Sequence, residues 1–161
     1  MKIFKLFTML LLSSFSLSAM ADFSELSRLV QEVKATNAPS ALSAFHTQLR
    51  DDTEYMDGIM SDVLDQIFEE QKSGFIQSSE TKRSELLALN EPAEGLLAII
   101  DEAIQAEILP SENRTEVIQA QEKKRNQQAM LVEGKSLSDN TPFNKTLRKT
   151  AEIRARLSLY Y

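Results

Sequence analysis

The chain has 161 residues, with 18 Lys and Arg against 24 Asp and Glu, for a net charge of −6. It has no cysteine, which excludes disulfides, thiol catalysis, thiolate metal sites and haem attached through C-x-x-C-H, and its acidity disfavours nonspecific nucleic-acid binding, which rests on cationic surface. Four glycines, four prolines and no tryptophan, beside abundant Leu, Ala, Glu, Gln and Lys, favour helices over a turn-rich β fold.

The first 21 residues read as a cleavable signal peptide. Lys2 and Lys5 form a positive n-region, Leu6 to Leu17 an apolar core, and Ala19-Met20-Ala21 a cleavage site before Asp22. The apolar run is broken by Thr8, Ser13, Ser14 and Ser16, and spanning hydrocarbon takes about 20 apolar residues. No cysteine follows to accept a lipid. The expected product is a periplasmic or secreted chain without a transmembrane anchor. Loss of Lys2 and Lys5 leaves 16 basic residues against 24 acidic ones, net −8.

The remaining residues, 22–161, suffice for one hydrophobic core and are short for two, so a single helical domain of about five to seven helices is predicted. Phe23, Leu26, Leu29, Val30 and Val33 recur at helical spacing, with Asp22 and Glu25 placed as a capping-box-like pair. Asn37-Ala38-Pro39-Ser40 interrupts, with Ser40 as the expected cap of a second helix. That helix carries Leu42, Phe45, Leu49, Tyr55, Met56, Ile59, Met60, Val63, Leu64, Ile67 and Phe68 as far as Gly74, with Gly58 as a candidate kink.

Ser78-Ser79 is expected to cap a short helix holding Leu86, Leu87 and Leu89, ended at Asn90-Glu91-Pro92, where Pro92 opens the next. The following stretch, with Leu96, Leu97, Ile99, Ile100, Ala103, Ile104 and Ile108, is apolar on more than one stripe and is the predicted central helix, stopped by Pro110. Ser111 is a candidate cap for a helix reaching Val132, whose residues 119–128 offer almost no apolar surface, so it is expected to project or fray. Residues 133–141 read as a polar linker. Thr141-Pro142 then opens a last helix lined by Phe143, Leu147, Ala151, Ile153 and Leu157.

His46 is the only histidine, so all imidazole chemistry must pass through it. No G-x-S-x-G elbow, H-E-x-x-H or E-x-x-H pair accompanies it, and the chain reads as non-catalytic, with no metal site and no cofactor. The alternative is a bundle that binds a small ligand such as haem, with His46 as axial ligand and Met130 as the other. Core packing is the simpler use of the methionines.

The strongest charge feature lies between Arg50 and Lys72, a stretch without Lys or Arg that contains Asp51, Asp52, Glu54, Asp57, Asp62, Asp65, Glu69 and Glu70. On a helix Asp51, Glu54, Asp62, Asp65 and Glu69 fall along one face, opposite Ile59, Val63 and Ile67. Each like-charge pair at i,i+4 costs about 0.2–0.5 kcal/mol. Those five residues are the candidate partner-binding surface. Residues 142–161 are polarised the other way, with Lys145, Arg148, Lys149, Arg154 and Arg156 against Glu152. Docking of this helix on the acidic one is expected, and the same asymmetry suits head-to-tail self-association. The functional expectation is an exported helical protein acting through protein contacts, as an adaptor, chaperone-like factor or inhibitor, on a partner with a basic surface.

Overall fold

Phe23, its side chain half-buried, caps the first helix, α1 (Ser24–Thr36), in a computed structural model that describes residues 23–72, 80–131 and 141–161. Asp22, the signal-peptide stretch and nearly all of the predicted linker lie outside the described residues. No side-chain cap forms at Phe23. Glu25 instead takes both Nε and Nη2 of Arg28, whose Nη1 reaches Glu32. Leu26, Leu29, Val30 and Val33 are buried, as their spacing predicts.

Asn37 turns the chain in the left-handed conformation, φ 49°, with its N–H donated to the Val33 carbonyl at 2.8 Å. The second helix, α2 (Pro39–Lys72), begins at Pro39 and not after a Ser40 cap. Proline suits a first helical turn, where its missing N–H has no helical acceptor. The helix then runs unbroken through Gly58.

Only one helix, α3 (Glu80–Gln105), occupies the stretch where two were expected, and Pro92 lies inside it. An interior proline loses a backbone hydrogen bond and crowds the preceding turn. Leu86, Asn90, Ala93, Leu96, Leu97, Ile100 and Ala103 are all buried, and their three- and four-residue spacing passes through Pro92 without a change of phase. Burial of this continuous stripe holds the two halves together. α3 packs on α1, α2 and α5, while α2, and not the predicted central helix, touches all four other described helices.

Glu107 ends α3 in the left-handed region, φ 60°. Its N–H goes to the Ile104 carbonyl and that of Ile108 to the Ala103 carbonyl, the two bonds of a Schellman motif, which glycine usually completes. Glu107→Gly removes the Cβ strain and is expected to raise stability by about 0.5–1 kcal/mol, read as an upward shift of the thermal midpoint.

The cap of α4 (Arg114–Leu131) is Asn113 and not Ser111, since the Thr115 N–H donates to Asn113 Oδ1 at 3.0 Å. This helix was expected to project. It lies against α5 and α2 instead, held by the half-buried stripe of Val117, Ala120, Gln121 and Lys124. Thr141 caps α5 (Pro142–Leu157) by accepting the Asn144 N–H at 3.2 Å, with Pro142 opening the helix. Leu147, Ala151, Ile153 and Leu157 are buried on it.

The architecture is an all-helical bundle with five helices among the described residues. One core cluster joins α1, the first half of α2, the second half of α3 and the end of α5 around Phe45, Met56, Met60, Leu96 and Ile100. A smaller cluster of Val63, Leu64, Ile67, Leu86 and Leu147 closes the other end. No described helix is long and apolar enough to cross a membrane.

Candidate functional site

On α2 the backbone sends Met56, Met60, Val63, Leu64 and Ile67 into the core, so the residues between them must face elsewhere. Asp51, Glu54, Asp62, Asp65 and Glu69 all emerge on the exposed side. Asp51 pairs locally with Arg50 at 3.2 Å. Glu54, Asp62 and Asp65 form no ion pair among the described residues. Tyr55, 49% exposed, and Phe68, 37% exposed, interrupt the carboxylates with aromatic surface.

Two acidic residues of the same stretch leave that surface. Asp52 is buried, with its Oδ1 accepting from Gln48 Nε2 at 2.9 Å. Asp57 is buried too. It faces Arg154 of α5, whose Nε donates to Asp57 Oδ1 at 2.5 Å and whose Nη2 lies 3.4 Å from Oδ2. The Tyr161 hydroxyl donates to Asp57 Oδ2, and Lys124 of α4 comes within 3.7 Å of the same oxygen. Side-chain exposure is 8% for Asp57, 9% for Arg154 and 15% for Lys124.

Burial pushes the Asp57 carboxyl up, but the hydrogen bonds from Arg154 and Tyr161 and the charges of Arg154 and Lys124 outweigh it, so it titrates below its ordinary value. Lys124 fares differently. Burial and repulsion from Arg154 exceed its attraction to Asp57 and hold its ammonium below the usual lysine range. With the shorter contacts, Arg154 is the principal counterion and Lys124 a weaker third member. Burial and the bond to Asp57 drive the Tyr161 hydroxyl up.

Arg156 and Lys149 of α5 are engaged with residues outside α2. Arg156 donates to Glu112 and Asp101 at 2.6–3.1 Å, and the Tyr160 hydroxyl reaches Glu112 at 2.8 Å. Lys149 pairs with Glu94 of α3. Glu152 takes Arg125 of α4 at 3.3 Å. The predicted docking of basic helix on acidic helix is seen at the buried Asp57, while Asp51, Glu54, Asp62, Asp65 and Glu69 lie on the exposed side of α2.

His46 stands on the solvent side of α2, its ring edge-on to the buried Phe45 with centroids 5.4 Å apart. The Met130 side chain lies outside the described residues. Among the described residues no group of three or more His, Cys, Asp or Glu is arranged to hold a metal ion. His46→Ala is expected to change stability by no more than about 0.5 kcal/mol, as for other exposed positions, measured by urea denaturation.

Sequence reasoning grouped Asp57 with the surface carboxylates and so missed the buried charge cluster. Its signal was present in phase, since Asp57 follows Met56 and lies four residues after the buried Thr53. No protein-family model, curated protein or solved structure matches the chain.

Proposed function

We propose that this chain is an exported, non-catalytic helical protein that works by protein contact, as an adaptor, chaperone-like factor or inhibitor, and that the face of Asp51, Glu54, Asp62, Asp65 and Glu69 receives a basic surface of its partner. The observation that carries the reading is that Glu54, Asp62 and Asp65 of that face form no ion pair among the described residues, whereas Asp51 pairs with Arg50. Arg154, Arg156 and Lys149 are committed to Asp57, Glu112, Asp101 and Glu94, and none of these carboxylates belongs to the exposed face. Complementary charge steers encounter and selects among partners. The exposed Tyr55 and Phe68 add the amphipathic aromatic surface that interfaces favour.

Export rests on Lys2, Lys5, the apolar run and Ala19-Met20-Ala21. The first described residue, Phe23, already packs against the main core, two residues beyond the expected cleavage point. Mass spectrometry of the secreted or periplasmic product is expected to find Asp22 as its first residue, and an intact Met1 terminus there would contradict export by cleavage.

Replacing Asp62, Asp65 and Glu69 together by serine leaves the core untouched and is expected to weaken capture of basic partner proteins from a periplasmic extract by about tenfold or more, the equivalent of 1.4 kcal/mol. The same proteins retained at equal yield would remove the acidic face from this reading. Raised salt is expected to mimic the replacement, because exposed charges are screened over about 10 Å at 0.1 M.

A further inference from the structure

Helix α4 is held differently from the rest of the bundle. Each of the other four described helices sends large apolar side chains fully into a core, such as Leu26 of α1, Phe45 of α2, Ile100 of α3 and Leu157 of α5. Among the described side chains of α4 none is buried to that degree. Val117, Ala120, Gln121 and Lys124 are half-buried, and Ile118 is 42% exposed. Elements with little buried apolar surface are the ones that open locally, short of global unfolding.

What replaces apolar burial is charge, and it is unevenly placed. Just before the helix, Glu112 accepts Arg156 Nη2 at 2.6 Å, Arg156 Nε at 2.9 Å and the Tyr160 hydroxyl at 2.8 Å, which fixes the entry to α4 against the end of α5. Along the helix, Arg125 meets Glu152 at 3.3 Å with both side chains 45% exposed, a pair worth about 0–1 kcal/mol. Lys124 is enclosed, yet it is the second cation on a single carboxylate. Asp57 already accepts from Arg154 and Tyr161, and its Oδ2 lies 3.7 Å from the Lys124 ammonium. Burial, Arg154 and the neighbouring Lys123 disfavour that ammonium more than Asp57 supports it. The docked helix thus encloses one positive charge more than the cluster matches, and enclosing an unmatched charge opposes docking. When α4 lifts, the extra cation returns to water, and Asp57 and Arg154 remain as a one-to-one pair.

We propose that α4 is a hinged flap, anchored at Glu112, that swings off α2 and α5 as a unit while the other four described helices stay folded, with the unmatched cation of Lys124 setting how often it opens. The device is independent of the partner contact proposed for the acidic face of α2.

Native-state amide hydrogen exchange of the full chain, followed by NMR at low urea concentrations, tests it. Amides of residues 118–127 are expected to exchange through an opening at least about a hundredfold more populated than the one that frees Leu96 and Ile100, and with a weaker dependence on urea, because less surface is exposed. Lys124→Met keeps the length of the side chain and removes its charge, and is expected to raise protection in α4 about tenfold. Lys123→Met, at an exposed position one residue earlier, is expected to change it by no more than about twofold. Equal protection and equal urea dependence in α4 and at Leu96 and Ile100 would overturn the proposal. So would weaker α4 protection in Lys124→Met, or an equal rise from Lys123→Met.

Discussion

Asp57→Ala is expected to destabilise the protein by about 3–5 kcal/mol, the cost of removing one partner from a buried ion pair. The change strands Arg154 and Lys124 side by side without a carboxylate, in a site where their side chains are 9% and 15% exposed. Arg154→Ala is expected to cost less, because Lys124 and Tyr161 still reach Asp57. Replacing both members, as Asp57→Leu/Arg154→Leu, is expected to recover much of the loss, since buried ion pairs and apolar pairs of similar volume are often equivalent. Urea denaturation of the four proteins measures all three comparisons, and equal losses for Asp57→Ala and Arg154→Ala would contradict the asymmetry.

The same cluster sets an acid limit. The folded Asp57 carboxyl titrates below its ordinary value of 3.8, so its stabilisation is complete above that value and is lost as pH falls through the lower, folded one. The stability difference between the parent and Asp57→Asn is therefore expected to narrow only below about pH 4. At the alkaline end the direction reverses. Tyr160 and Tyr161, both raised in the folded state, contribute stability that is present below their ordinary value of 10.0 and lost as pH climbs through the raised ones.

Phe45→Ala is the second large effect, about 3–5 kcal/mol. Phe45 is fully buried in the main core, where residues of α1, α2, α3 and α5 converge. Truncating it removes transfer free energy and leaves a cavity that helices held on several sides cannot collapse to fill. Leu87→Ala, on a side chain 60% exposed, is expected to stay within about 0.5 kcal/mol. Against a total stability of about 5–15 kcal/mol, the Phe45 change alone removes a large fraction, and a measured loss near that of Leu87→Ala would place Phe45 outside the core.

Much of this fold is legible from spacing. Leu26 to Val33, Met56 to Ile67 and Leu147 to Leu157 declare their buried faces in sequence because helical phase alone decides them. Thr141-Pro142 is legible for the same local reason, a cap and a first-turn proline. Pro92 is not. Its local preference to start a helix is overruled by a buried stripe that continues from Leu86 to Ala103, and that stripe acquires its weight only once α2 and α5 lie against it. Ser111 and Asn113 are equivalent caps in sequence, and Asn113 is the one used, with Glu112 between them held by Arg156 and Tyr160 from the far end of the chain.

The acidic face divides along the same line. Asp51, Glu54, Asp62, Asp65 and Glu69 share a face by helical geometry, and the structure leaves all five exposed. Asp52 and Asp57 are carboxylates of the same run that turn inward. Asp57 is supported there by Arg154, 97 residues later, and Tyr161, 104 residues later, partners no local pattern announces.

If the outer face of α2 meets a partner, a photo-crosslinking residue on that face reports the contact most directly. Benzoylphenylalanine in place of Tyr55, beside Glu54 and 49% exposed, is compared with the same group in place of Ile118 on α4, 42% exposed. The expected result is a discrete adduct from Tyr55 that disappears when Asp62, Asp65 and Glu69 are serine, with none from Ile118. Adducts of equal yield from both positions, or no adduct from Tyr55, would contradict it.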